Sequence, residues 1–426
     1  MKNVRYRTIL GYFNRLIPFL IKWYPERLPK YAEVLKTRMF LDKMDYSFDP
    51  VVDSLMRLLN KKIAEGASDN ELLEIEIRIS ERIEELSSLA VRNGPVEIPE
   101  DVAFLGYLVM DTLLLEYMVS QRDTAVFVQH IPGDSLEFLV NRLNENPDDR
   151  ALSSALYGLL LKPFDSLLKD YEHVAISRHG ILNYLNYSIL NDGHRYVVEK
   201  PYPIYYTLSL YTLDSPCRVE GKVFAIGRDD YGNNPVVMRS GLGNLAYAER
   251  EARSVSDIMG GDYLVGDSLQ EKKLYEIPIE NYEIFHVATH ALVDTVPEII
   301  IGPQGDTSLW NNNIMTIYEI MARLRSGKMV VLSGCRTGYG RIINDWEGVN
   351  NLLRAFIYTG ARCVITTSWD VNDLASYVFM ETFYRFLKSG ETADRALKNA
   401  QVYMLRNTGL DSPRFWGPFS LTVFRR

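Results

Sequence analysis

Cysteine is scarce in this chain of 426 residues, which has only Cys217, Cys335 and Cys363. So small and odd a number argues against a disulfide framework and points to a reducing compartment, the cytoplasm. Histidine is nearly as rare, with six residues. No Cys/His grouping has zinc-site spacing, so neither a metal nor a cofactor is expected. Phosphate-binding loops are missing too. Gly302-Pro-Gln-Gly305 and Gly338-Tyr-Gly340 have neither the strand–GxGxxG–helix form nor the GxxxxGK[ST] form. Near the N-terminus Asn14-Arg15 breaks the apolar stretch and Lys22 and Pro25 follow, so no signal peptide and no membrane span is expected there.

What is present describes a folded globular protein. Hydrophobic residues make up 47% and charged residues 24%, and the length predicts two or three domains. The 27 tyrosines supply amphipathic aromatic surface for contacts between domains and with partners. The net charge of −8 is unevenly spread: residues 1–43 carry +7 and the rest −15. A basic start on an acidic body is either a docking surface for RNA, a membrane or an acidic partner, or a solvated helical face paired with that body.

Residues 1–98 read as helical. Val51, Val52, Leu55, Leu58 and Leu59 have the spacing of one helix face, and Ser68-x-x-Glu71 is a capping box ahead of the stripe Leu72, Ile75, Ile79, Ile83 and Leu86. Asn93-Gly-Pro95 and Pro99 mark a domain boundary. Strands are expected at 113–119, 125–130, 173–177, 203–209 and 223–227, with a helix at 149–169. From Leu245 helix and strand alternate: helices at 245–259, 314–325, 348–359, 371–388 and 392–407, strands at 283–289, 328–334 and 362–368. That alternation implies an α/β fold with a mainly parallel sheet and helices on both faces.

Two strand ends carry the chemistry. Glu283-Ile-Phe-His-Val-Ala-Thr-His290 ends in His, and Lys328-Met-Val-Val-Leu-Ser-Gly-Cys335 ends in Cys, 45 residues later. Ligands and catalytic groups gather at the carboxyl ends of parallel strands. His290 and Cys335 there make a base beside a nucleophile, since the thiolate is the attacking species. Cys335 alone would read as a small buried apolar residue; the matched His changes that. The backbone N–H groups of Ala291, Gly334 and Cys335 are candidate oxyanion donors. His286 reads as a hydrogen-bonded core residue and His179-Gly180 as a structural decoy. Ser368, Trp369, Asp370 and Asp373 lie on the next strand-end loop. The two carboxylates would floor a pocket for a basic P1 side chain, with Trp369 as a wall. The alternative for Asp373 is a place in the first turn of the following helix.

Several separated motifs resemble the CHAT family of caspase-like peptidases related to separase. They are Leu113-Leu-Leu-Glu-Tyr117, Leu190-Asn-Asp-Gly-His-Arg-Tyr-Val-Val-Glu199, Leu245-Ala-Tyr-Ala-Glu-Arg-Glu-Ala252, His286-Val-Ala-Thr-His290, Val331-Leu-Ser-Gly-Cys-Arg-Thr-Gly338, Arg354-Ala-Phe-Ile-Tyr-Thr-Gly-Ala361, Ser368-Trp-Asp-Val371 and Trp416-Gly-Pro-Phe419. Gly334 stands where Ala is frequent in that family. The resemblance implies a pseudo-caspase half at 99–225 and an active half at 226–426, with His290 and Cys335 as the catalytic pair. It also implies a helical, TPR-like docking region at 1–98, as in prokaryotic members that act in antiviral defence.

The expectation is a latent cysteine endopeptidase acting on a protein substrate. A regulatory protein or RNA-guided complex would dock on the N-terminal region, with nucleic acid involved only indirectly. The competing class is a catalytically silent scaffold or binding module on the same fold, associated with nucleic acid through its basic start.

Overall fold

The computed structural model describes residues 97–425 apart from 111, 294–296, 306–311, 335, 336, 338–340, 343–348 and 351. Before residue 97 it describes positions 29, 32, 33, 51, 54, 55, 58, 61, 62, 65, 71, 75 and 78. The helical stretches expected at 48–63 and 68–86 therefore lie mostly outside the described residues. Of their described positions, Leu55 and Ile75 are buried, while Val51 and Leu58 are exposed.

In chain order the first half contains β1 (Val102–Val109), β2 (Leu113–Val119), β3 (Thr124–His130), α1 (Gly133–Glu145), α2 (Arg150–Leu160), β4 (His173–Ser177) and β5 (Ile204–Tyr206). The second half begins with β6 (Val223–Gly227), α3 (Pro235–Arg239), α4 (Ala248–Met259), β7 (Asp262–Val265), α5 (Glu271–Glu276) and β8 (Ile284–Ala288). A small sheet follows, from β9 (His290–Leu292), β10 (Glu298–Ile300) and β11 (Ile314–Thr316), then α6 (Ile317–Arg323) and β12 (Met329–Leu332). Last come β13 (Arg341–Ile342), β14 (Val349–Asn350), α7 (Leu352–Thr359), β15 (Cys363–Thr367), α8 (Asp373–Lys388), α9 (Ala393–Asn407), α10 (Pro413–Trp416) and β16 (Phe419–Val423).

Eleven strands form one sheet in the order β3-β2-β1-β4-β5-β16-β15-β12-β8-β6-β7. β16 is the seam. It runs antiparallel to β15 and parallel to β5. The parallel strands of the two halves therefore point in opposite directions, and their carboxyl ends open at opposite edges of the sheet. The remaining antiparallel pairs are the β1–β2 and β2–β3 hairpins at one margin.

The second half shows why its strands read as continuous apolar runs. Phe224, Phe285, Val330 and Val364 face a core completed by Ile320 and Phe356 of α6 and α7. Their neighbours Val223, Ile284, Met329 and Ile365 face the opposite core with Val255, Phe379 and Ala400 of α4, α8 and α9. Strands covered on both faces need no polar alternation.

Several elements differ from the sequence-based expectation. β1, α1, β7 and β16 were not foreseen, and the helix expected at 149–169 ends as α2 at Leu160. The helix expected at 314–325 begins as β11, because Ile314–Thr316 pairs with Glu298–Ile300 before Thr316 caps α6. The N-terminal region reaches the first half through Glu33, which is buried and accepts from Leu210 N at 2.5 Å and from the Tyr117 hydroxyl.

The expectation of no disulfide is also corrected. Cys217 and Cys363 are bonded with Cα atoms 6.5 Å apart, joining the loop between the halves to the start of β15. They are separated by 146 residues, so only the fold brings them together. Peptide mapping without reduction should recover Cys217 and Cys363 as one linked pair, with Cys335 the one alkylated cysteine. Cys217→Ser should lower unfolding stability by about 2–4 kcal/mol in denaturant titration. Three thiols reacting in the folded chain would contradict the link.

Candidate active site

β8 and β12 lie side by side, with Val287 opposite Leu332. His290 and Cys335 each stand three residues beyond that register pair. Cys335 itself is outside the described residues, as are Arg336 and Gly338. The positions flanking it are firmly held. Ser333 N donates to Val287 O at 2.9 Å, and Ser333 Oγ meets Ser376 Oγ of α8 at 2.7 Å. Thr367 Oγ1 donates to Gly334 O at 2.5 Å, and Thr337 N donates to the same hydroxyl at 3.1 Å. Two buried threonines thus tie both sides of the turn to the end of β15.

His290 is buried and oriented by the backbone. Its Nε2 lies 2.7 Å from the Gly243 carbonyl, which can only accept, so Nε2 carries the hydrogen and Nδ1 holds the lone pair. The main-chain N–H of His290 donates to the Tyr231 hydroxyl at 2.9 Å, and the two rings lie 4.5 Å apart between centroids. Burial lowers the His290 pKa below the ordinary 6.5, against the raising effects of the Gly243 carbonyl and the Asp373 charge. The imidazole is therefore neutral near pH 7, as a proton acceptor must be.

A small cleft opens beside this ring, lined by His290, Thr289, Ser333, Gly334, Val371, Asp373, Ser376, Leu245, Ala248 and Glu251. Of the four residues expected to form a substrate pocket, Asp373 is on this wall. Ser368 and Trp369 are buried elsewhere: Trp369 packs in the core and donates its indole N–H to Arg414 O at 3.1 Å. Asp370 is exposed. Asp373 lines the cleft and also has the expected place at the start of the following helix. It stands in the first turn of α8, behind the cap Asn372, and its Oδ2 accepts from Ala246 N at 2.5 Å and Tyr247 N at 2.9 Å. Burial raises its pKa, with the Ala246 and Tyr247 N–H groups opposing.

Three residues of this site were missed by the sequence reading: Tyr231, Gly243 and Glu251. Glu251 is buried, lines the cleft, and accepts from or donates to His286 Nε2 at 2.9 Å. His286 Nδ1 meets the Tyr384 hydroxyl at 3.0 Å, so this histidine is the hydrogen-bonded core residue that was expected. His179 accepts from Val109 N at 3.2 Å and follows β4, at the sheet edge opposite His290.

Gly334 has a steric reason to be glycine. A Cβ there would come within 2.4 Å of the Thr289 carbonyl oxygen, and within 3.5 Å of the Ala291 N that was a candidate oxyanion donor. Gly334→Ala should therefore push apart the two turns that carry His290 and Cys335. The expected cost is about 1–3 kcal/mol in urea unfolding, with a matching loss of any thiol-dependent activity. An unchanged midpoint would show that the turns have slack.

The CHAT domain family model matches residues 150–424. Tetratricopeptide repeat protein 28 of Mus musculus is 29% identical over 213 residues, which is 42% of this chain and 8% of that protein. Its Homo sapiens counterpart is 27% identical over 213 residues, with the same coverage. The chain thus matches under a tenth of the length of these curated relatives. Among solved structures, the Arg-specific cysteine proteinase gingipain R aligns with a TM-score of 0.44 and 8% identity, over 78% of this chain and 79% of its own. Separase in the Saccharomyces cerevisiae separase–securin complex aligns with a TM-score of 0.39 and 13% identity, over 60% and 15%. With the family model covering well over half of its residues, this chain belongs to the CHAT domain family.

Proposed function

We propose that the chain is a cysteine endopeptidase in which His290 takes the proton of Cys335. The observation that carries this reading is the hydrogen bond from His290 Nε2 to Gly243 O, which leaves Nδ1 as the base on a cleft shared with Gly334. Attack of the thiolate on a peptide carbonyl would form a tetrahedral intermediate. Backbone N–H groups at Ala291, Gly334 and Cys335 are the proposed oxyanion donors, and His290 then returns the proton to the leaving amine. The Gly243 carbonyl fills the orienting role that a carboxylate fills in a catalytic triad. In keeping with the sequence expectation, the enzyme is proposed to be latent until a partner engages the N-terminal region, with antiviral defence as the setting. No described helix is long and apolar enough to cross a membrane.

Asp373 and Glu251 together give the cleft two carboxylates, which favours a basic P1 side chain. A peptide-library digest tests both parts. Cys335→Ala and His290→Ala should each abolish cleavage, because the pair acts as one unit. Asp373→Asn should cut cleavage after Arg or Lys about 30-fold or more, given roughly 2–5 kcal/mol for losing one partner of a buried charge pair. Cleavage after apolar residues should persist in that variant. Wild-type rates in either dyad variant would remove the peptidase assignment. A P1 profile without Arg or Lys would leave Asp373 as a residue that holds the start of α4.

A further inference from the structure

Away from the cleft, the fold gathers a second set of chemically capable side chains. Asp101, Glu172 and His173 each direct one ligand-type atom into a region where these atoms lie within 4.8 Å of one another. Asp101 immediately precedes β1, and Glu172 and His173 stand at the start of β4. The parallel pairing of those strands brings them together, with Glu172 N and His173 N both donating to Asp101 O at 3.0 and 3.1 Å. Nothing in the sequence shows this grouping.

His173 points to a ligand independently of the carboxylates. Its side chain is 6% exposed, and Nδ1 meets Oδ2 of the fully buried Asp394, on α9, at 2.5 Å. That contact fixes the ring and places the hydrogen on Nδ1, leaving Nε2 as a lone-pair donor. Nε2 is on the cluster side, where Asp101 Oδ2 lies 3.8 Å away, beyond hydrogen-bond distance, and no hydrogen bond to Nε2 is found among the described residues. A buried carboxylate behind a histidine whose far nitrogen faces outward is the arrangement that orients metal-bound imidazoles. Arg395 anchors Glu172 through Oε2 at 2.6 Å, and the Glu172 and Asp101 side chains are exposed enough to contract around an ion.

We propose that Asp101, Glu172 and His173 form a binding site for a divalent transition cation, with Asp394 as the group that orients His173. One imidazole and two carboxylates suit zinc-like ions bound near 2.0–2.2 Å, with water completing the shell. The site joins β1, β4 and α9, so its role is to hold the first half to the helices that cover the second. It stands five strand positions from β8, about 24 Å at 4.8 Å per strand, and takes no part in the cleft.

The test uses the full chain carrying Cys335→Ala, stripped with a chelator and titrated with Zn²⁺ by calorimetry and thermal melting. One ion should bind per chain and raise the melting temperature. The double variant Asp101→Asn/Glu172→Gln keeps the His173–Asp394 pair, so folding is preserved, and it should lose at least tenfold in affinity. Asp394→Asn should weaken binding about 10–100-fold through the loosened ring. Absence of binding in the parent, or equal affinity in the double variant, would overturn the site. His173 would then be a structural side chain held between Asp394 and Asp101.

Discussion

The placement of β16 is the constraint on which the architecture depends. This last strand enters between β5 and β15, parallel to one and antiparallel to the other, and so makes a single sheet from two halves of opposite direction. Around it the chain adds further ties. Arg425 N donates to Thr212 O at 2.8 Å, Ala393 N donates to Cys217 O at 2.8 Å, and the Cys217–Cys363 link joins the interhalf loop to β15. The Arg362 guanidinium pairs with Asp214 across the same junction. Because the halves are reversed, the strand ends that carry His179 and His290 open at opposite edges.

At that edge the local interactions form a sequence of supports. Asp373 and Asp229 accept backbone N–H groups at the start of α4, a position where negative charge is favourable. The loop before α4 brings the Gly243 carbonyl to His290 Nε2, and Tyr231 holds the same residue through its main-chain N–H. Thr337 and Thr367 hold the facing turn, and the lack of a side chain at Gly334 lets the two turns meet. Function in this reading comes less from unusual side chains than from backbone groups fixed by packing.

Legibility in the sequence followed the physics of each element. β2, β4 and β6 were read at their observed bounds because short apolar runs between turn residues identify strands. β1 was missed because the stretch 102–108 is buried and shows no polar alternation, and Pro99 ahead of it was read only as a domain boundary. β16 was missed because its role is set by partners far away in sequence. His286 was legible as a hydrogen-bonded core residue, since a polar group on a buried strand must find a partner. Gly243 and Tyr231 left no signal: a carbonyl has no residue identity, and one tyrosine among 27 carries little weight. Trp369 misled because a strand-end position was equated with a pocket wall, whereas its indole turns into the core.

The central claim, that His290 activates Cys335, can be measured without knowing the substrate or the activator. With Cys217 and Cys363 paired, Cys335 is the remaining thiol, so its alkylation rate can be followed across pH in the folded chain. Paired with His290, the thiol should titrate well below the ordinary value of about 8.5. In His290→Ala the curve should move back toward that value. A Cys335 thiol that titrates near 8.5 in the parent chain, with the same curve in His290→Ala, would contradict the account.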